Sequence, residues 1–288
     1  MQDAPLPPAL PRHIVEDGVR RAFVEDLGQA GDLTTQATIG PDATARAEIV
    51  SRADGVVCGI DFAQAAFALI GPGLAVEVAR GDGAAVTAGD TVLTAAGNAR
   101  ALLAAERTAL NFMTHLSGIA TLTRAFVAET AGHATRICCT RKTTPGLRAA
   151  EKYAVRCGGG YNHRFGLSDA ILIKDNHIAV AGGVGAAVAG ARAFAGHLVA
   201  IEVEVDTLDQ LAEALDAGAS AVLLDNMDDA MLAEAVAITG GRAKLEASGN
   251  VTLERIAAIA ATGVDYISTS RITMAATPLD LGLDIVLD

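Results

Sequence analysis

No lysine precedes Lys142 in this chain, and cysteine is nearly as rare. The four cysteines, Cys58, Cys138, Cys139 and Cys157, form no CxxC pair and no ligand spacing with histidine. A chain of 288 residues needs no covalent staple, so buried or free thiols are expected, without a structural zinc site. Basic charge is also short. Lysine plus arginine number 22 against 34 acids, a net charge of −12. That deficit argues against nonspecific binding to nucleic acid or an anionic membrane, which relies on a basic surface. Uncharged runs are short as well: the longest span about 16 residues, as between Arg107 and Arg124, where a membrane helix needs roughly 20. The opening segment, MQDAPLPPALPRH, has neither the basic start nor the apolar centre of a signal peptide. The expectation is a soluble, cytoplasmic protein.

Apolar residues are abundant at 51%, with 19% charged, ample for a buried core. The length allows one large domain or two modest ones. Charge is unevenly placed. Between Arg136 and Lys174 lie Arg136, Arg141, Lys142, Arg148, Lys152, Arg156, Arg164 and Lys174, opposed only by Glu151 and Asp169, a local net of +6 (8 − 2). Such a run is either a solvated basic face or a pocket for a multiply charged anion. Its alternation with apolar strand-like runs and glycine turns favours the pocket.

Two patterns divide the chain. After a proline-rich arm to about Arg12, helical spacing runs from His13 to Leu27, and GQAGDLTT reads as a turn with Asp32, Thr34 or Thr35 able to cap. Residues 43–60 alternate like half-buried strands, Asp61 to Ile70 reads as an apolar helix, and LAVEVAR and GDGAAVTAGDTVLTAAG as further strands. A long helical region follows from Ala99 to Thr130, with an interruption expected near Ser117-Gly118. Beyond residue 130, apolar runs alternate with alanine-rich amphipathic stretches: TRICCT, DAILIK, LVAIEVEV, AVLLD, AKLEA and VDYIST. That alternation implies parallel βαβ units. Six of them suggest an incomplete β/α barrel of the TIM type, with an open doubly wound sheet as the alternative. No dinucleotide glycine fingerprint follows the first strand to support the open sheet.

In such a barrel, chemistry sits at the C-terminal ends of the strands. Those ends read Arg141-Lys142, Lys174-Asp175-Asn176-His177, Glu202 and Glu204, Asp225-Asn226, Glu246 to Asn250, and Ser268-Thr269-Ser270. Bases come early and acids later, as for a site that binds an anion together with a polyol or metal. Asp175, Asn176 and His177 read either as ligands or as a helix-capping turn.

The segments TRKTTPGLR (140–148), GGGYNHRFGLSDAILIKDNH (158–177), EVEVD (202–206), LLDNM (223–227) and LEASGN (245–250) together resemble the quinolinate phosphoribosyltransferase family. EDLGQAGDLTT (25–35) and ERTALNFM (106–113) resemble its N-terminal domain, so the likeness covers nearly the whole chain. It implies an α/β fold: an α+β N-terminal domain over 1–116, with 275–288 returning to it, and an incomplete TIM-like barrel over 117–274. The reaction implied joins quinolinate to phosphoribosyl pyrophosphate with magnesium, giving nicotinate mononucleotide, pyrophosphate and carbon dioxide.

By matching motifs, Arg107, Thr140, Arg141, Lys142, His163, Arg164 and Lys174 surround quinolinate, whose two adjacent carboxylates suit arginine forks. A lone histidine is often a hydrogen-bonded packing residue, but the motif around His163 favours substrate contact. Arg107 is expected to reach the pocket of a neighbouring subunit, which implies a homodimer or higher oligomer. Glu204 and Asp225 match the acids near the ribose and, with Lys142, form the expected catalytic set. Strand alternation puts Glu202 on the same face, and only the motif register selects Glu204. Magnesium is expected mainly on the substrate pyrophosphate, without direct protein ligands. Ser248, Gly249, Asn250, Thr269, Ser270 and Arg271 are expected at the terminal phosphate. Many relatives have Gly-Ala where this chain has Ser270-Arg271, so Arg271 is either part of a variant phosphate loop or a surface residue.

Two other classes are weighed. The hairpin GDGAAVTAGDTVLTAAG resembles biotinyl or lipoyl carrier modules, but a carrier needs a modifiable lysine at its tip, and none occurs before Lys142. The enzyme alternative is a related phosphoribosyltransferase acting on another ring acid, or a paralogue attached to molybdate uptake.

Overall fold

The computed structural model describes residues 6–71 and 73–286. Two compact units divide the chain. One holds residues up to 124, 144–159 and those from 275 on; the other holds 125–143 and 160–274.

The first stretch of chain forms α1 (Arg12–Leu27), α2 (Leu33–Thr38), β1 (Thr44–Ser51), β2 (Gly55–Val56), α3 (Ile60–Ile70), β3 (Ala75–Val78), β4 (Ala85–Val86), β5 (Thr91–Asn98) and α4 (Ala99–Ala128). Pro11 opens α1. Of the three candidate caps, Asp32 is the one used on α2, its carboxylate accepting from Thr35 N at 2.9 Å. Asp82 does the same for α3, accepting from Ile60 N at 3.0 Å. α4 runs 30 residues without a break, which corrects the expected interruption at Ser117-Gly118. Both residues serve packing instead. Ser117 Oγ accepts from Cys58 N at 2.9 Å and donates to Cys58 O at 3.1 Å. Gly118 lets the Thr277 backbone approach so closely that a Cβ there would lie 2.2 Å from the Thr277 oxygen.

The remaining elements are β6 (Arg136–Cys138), α5 (Arg148–Cys157), β7 (Ile171–Ile173), α6 (Asp175–Ala181), α7 (Val184–Phe194), β8 (Ile201–Val205), α8 (Leu208–Asp216), β9 (Ala221–Asp225), α9 (Asp229–Thr239), β10 (Lys244–Ser248), α10 (Ile256–Ala261), β11 (Tyr266–Ser268), α11 (Arg271–Met274) and β12 (Leu281–Val286). The caps are local: Thr207 accepts from Gln210 N at 3.2 Å to start α8, and Asp228 accepts from Met231 N at 2.9 Å to start α9. No single helix among the described residues is long and apolar enough to cross a membrane.

In the first unit, an antiparallel sheet of order β12-β1-β5-β3 is built around β1. Ala47, Ile49 and Ser51 alternate into the interior along β1. They belong to a core with Phe67, Leu93, Leu102, Met113 and Leu116, and Phe62 stacks on Phe112 at 4.4 Å. Each large apolar side chain buried this way contributes about 1.5–3 kcal/mol. Cys58 and Cys157, far apart in sequence, meet here beside Asp82, and all four cysteines are buried.

The second unit is a six-stranded parallel sheet of order β6-β11-β10-β9-β8-β7, curled as an incomplete barrel. Val203, Val205, Val222, Leu224, Leu245 and Ile267 are buried on one face, under apolar helix residues such as Leu211 and Leu232. Alternation turns the intervening residues to the opposite, interior face. Between the edge strands β6 and β7, Tyr161 forms a parallel bridge to Cys138, donating to Ile137 O at 2.7 Å and accepting from Cys139 N at 3.0 Å.

Candidate active site

Interior positions of the barrel strands carry the polar residues. Register sets Glu204, Leu223, Glu246 and Tyr266 in one row across β8 to β11, with Asp225 beside Ser248 one layer nearer the strand ends. Above these rows opens a cavity of about 410 Å³. Arg141 and Lys142 enter it from the turn after β6, and His163 and Arg164 from the segment that follows the Tyr161 bridge. Lys174 enters from the end of β7, Glu204 from β8, Asp225 from β9 and Ser248 from β10. Thr140 completes the wall. Every expected barrel residue up to Ser248 therefore lines one space.

Two of the cations have fixed partners. Arg164 donates through Nη1 to Ala170 O at 2.9 Å, within a loop that Asp169 ties by accepting from Gly166 N at 2.7 Å. Its guanidinium is kept below its usual pKa by burial first and by Arg141 second. Two cations that repel each other in a partly dry pocket make a strong demand for anionic charge. Lys174 Nζ already pairs with Glu204. Asp225 is raised above the ordinary aspartate range, chiefly by burial and then by Asp206, with Lys174 and Lys142 opposing. His163 Nε2 lies 2.7 Å from Glu202 and 3.8 Å from Glu246.

The other expected residues lie elsewhere. Gly249 and Asn250 follow β10 in a turn locked to Asn226: Asn250 Nδ2 donates to Asn226 Oδ1 at 3.1 Å, and a Cβ on Gly249 would lie 2.3 Å from that oxygen. With φ at +83°, only glycine fits there readily. Thr269 is buried and binds Cys138 O through its amide at 3.1 Å; its hydroxyl accepts from Arg271 N at 3.2 Å. Ser270 precedes α11, and Arg271, its first residue, is exposed. None of these lines the cavity. Arg107 is on α4 in the first unit, its side chain 60% exposed. Of the turn after β7, His177 Nδ1 accepts from Lys174 N at 3.0 Å, the capping role of the two considered.

Glu202 and Glu246 stand among the strand-end polar residues read from the sequence, but neither was assigned to the site. Their signal was present in the inward alternation of β8 and β10, but no motif gave them a role. A larger cavity of about 520 Å³ lies within the first unit, lined by Arg21, Glu25, Asp26 and His115 among others. Its charges are of both signs and do not converge as the barrel cations do, so the barrel cavity is the candidate.

Two family models match: the N-terminal domain of quinolinate phosphoribosyl transferase over residues 32–117, and its C-terminal domain over 119–284. The chain belongs to the quinolinate phosphoribosyltransferase family. It is 45% identical over 276 residues to the carboxylating nicotinate-nucleotide pyrophosphorylase of Mycobacterium leprae, covering 93% of this chain and 96% of that one. It is 41% identical to a mitochondrial decarboxylating quinolinate phosphoribosyltransferase of Nicotiana tabacum, over 97% of this chain and 84% of the relative. Among solved structures, the nicotinate-nucleotide pyrophosphorylase of Francisella tularensis superimposes with a TM-score of 0.91 at 40% identity, covering 98% of this chain and all of the other. Likeness of this extent joins both units of the fold to the family, not the barrel alone.

Proposed function

We propose that this chain transfers the phosphoribosyl group of phosphoribosyl pyrophosphate to quinolinate with decarboxylation, giving nicotinate mononucleotide, pyrophosphate and carbon dioxide. The observation that carries the reading is the barrel cavity itself, where Arg141, Lys142, Arg164 and Lys174 converge opposite Glu204 and Asp225 in a member of this family. Quinolinate brings two adjacent carboxylates. Arg141 and Arg164 grip them as charge-assisted forks, with His163, Lys174 and Thr140 completing the pocket. A bound dicarboxylate relieves the repulsion that lowers the Arg164 pKa.

Departure of pyrophosphate leaves positive charge on the ribose carbon. Glu204 and Asp225, on neighbouring strands, stabilise that charge, and Lys142 steadies the anionic leaving group. The terminal phosphate is read onto the turns Ser248-Gly249-Asn250 and Thr269-Ser270-Arg271. Backbone amides and hydroxyls of these turns are the donors in this reading. Exposed Arg271 adds a cation at that rim.

Magnesium fits the donor chemistry, since the acids facing the ribose position offer the oxygen atoms a hard cation prefers. Bound, it neutralises pyrophosphate charge. It would be held mainly through the substrate pyrophosphate, with the Asp225 carboxylate facing it. Arg107, exposed on the first unit, is assigned to the pocket of a second copy of the chain, which makes a homodimer the smallest active form. A cytoplasmic location goes with this reading.

The test supplies phosphoribosyl pyrophosphate and magnesium with either quinolinate or nicotinate, and assays mononucleotide and carbon dioxide. The expected result is mononucleotide with equimolar carbon dioxide from quinolinate alone. Turnover of nicotinate without carbon dioxide would replace this reading with a transferase for another ring acid.

A further inference from the structure

Decarboxylation leaves one requirement that the residues above do not meet. When the carboxyl group departs, its bonding electron pair stays on the ring carbon beside the glycosylated nitrogen, and that carbon must take a proton. Arginine holds its proton too tightly for this, Lys174 is already paired with Glu204, Lys142 is assigned to the leaving group, and His163 Nε2 is engaged by Glu202 at 2.7 Å.

Glu246 is placed for the task. It sits at the interior of β10, only 5% exposed, and lines the cavity with the cations. Its Oε1 has no hydrogen-bond partner among the described residues. A buried carboxylate with one oxygen lacking a hydrogen bond, facing an incoming dicarboxylate, is doubly unfavourable; a neutral carboxyl eases both penalties and carries a proton. The groups around it are Glu202 from β8, His163 and Arg164 from the segment before β7, Arg141 after β6 and the Ser268 hydroxyl from β11. From β9 the register neighbour is Leu223, which carries no charge. Burial, and then Glu202, push its pKa up to about 7, against His163 and Ser268. At neutral pH a substantial part is therefore protonated.

A route for renewal is also present. A second cavity of about 350 Å³ is lined by residues that open the strands, including Ile171, Ile201, Ala221 and Lys244. It shares His163, Arg164 and Glu246 with the upper cavity, so these side chains form the wall between the two.

Resting on the reaction proposed above, we propose that Glu246 is the acid that protonates the ring carbon vacated by carbon dioxide. The carbon–carboxyl bond breaks, carbon dioxide leaves, and the electron pair on carbon takes the Glu246 proton. The resulting carboxylate regains a proton from water in the lower cavity. His163 and Glu202 are positioning residues that fix its charge state.

The test compares wild type with Glu246→Gln, which keeps shape and neutrality but carries no acidic proton. Wild-type turnover falls as pH rises through about 7 or above, because only the protonated acid works and bound dicarboxylate raises its pKa further. In Glu246→Gln that limb disappears, turnover falls about 100-fold, and quinolinate affinity stays within about threefold. In a single turnover, pyrophosphate appears ahead of nicotinate mononucleotide. Glu202→Gln leaves the acid in place and moves the limb to lower pH. An unmoved limb in Glu202→Gln, or wild-type turnover with an intact limb in Glu246→Gln, overturns the assignment; the first result does so even if the Glu246→Gln chain fails to fold. Failure of the reaction itself is distinguishable, since wild type would then make no mononucleotide from quinolinate.

Discussion

Glu204 and Asp225 share a cavity but differ in company. Glu204 is paired with Lys174, while Asp225 is pushed up by burial and Asp206. If both stabilise charge that develops on the ribose, their loss falls on turnover rather than on quinolinate affinity. Glu204→Gln and Asp225→Asn should each lower turnover at least roughly tenfold, on the order of 1.4 kcal/mol of barrier. Steady-state rates at saturating substrates, set against quinolinate titration, separate the two effects. The sign for pH follows from the raised Asp225: it works as the anion, so activity falls as pH drops toward a midpoint above the ordinary aspartate range, and Asp225→Asn should lose that acid limb. These residues were legible because they sit in long motifs at strand ends. Glu246 sits in one of the same motifs, and its role was hidden because burial and the company of Glu202 come from other strands.

Strands β6 to β11 were legible as apolar runs because each is buried on one face, and the periodicity of a half-buried strand survives in sequence. Ser117-Gly118 misled for the opposite reason. A small polar residue before glycine is a local break signal, yet here both answer to distant backbone, Cys58 and Thr277. That gives a test with opposing terms. Gly118→Ala improves helix propensity by about 1 kcal/mol, but its Cβ would meet the Thr277 oxygen at 2.2 Å. Overpacking of this kind costs about 1–3 kcal/mol, so the variant should be less stable in a denaturant titration. Equal or greater stability would mean that the close approach does not constrain α4.

At the scale of the molecule, local periodicity carried the order of elements but not their grouping. Residues 144–159 join the first unit although they lie between two barrel strands, and Cys58 meets Cys157 across a long separation. The assignment of Arg107 to a second copy is tested by subunit mixing. Inactive Arg107→Ala and Lys142→Ala chains, allowed to exchange, should regain part of the wild-type activity, because some mixed dimers hold one intact pocket. No recovery despite demonstrated exchange would place Arg107 outside the site.

The central claim is that the cationic cavity at the barrel strand ends is where a dicarboxylate binds. Calorimetric titration of quinolinate into wild type, Arg141→Ala and Arg164→Ala measures it directly. Each substitution removes charge-assisted hydrogen bonds worth about 1.5–3 kcal/mol, so the dissociation constant should rise about 10- to 150-fold in each, with an unchanged unfolding midpoint. Wild-type affinity in both variants would contradict the account and move the binding site out of the barrel cavity.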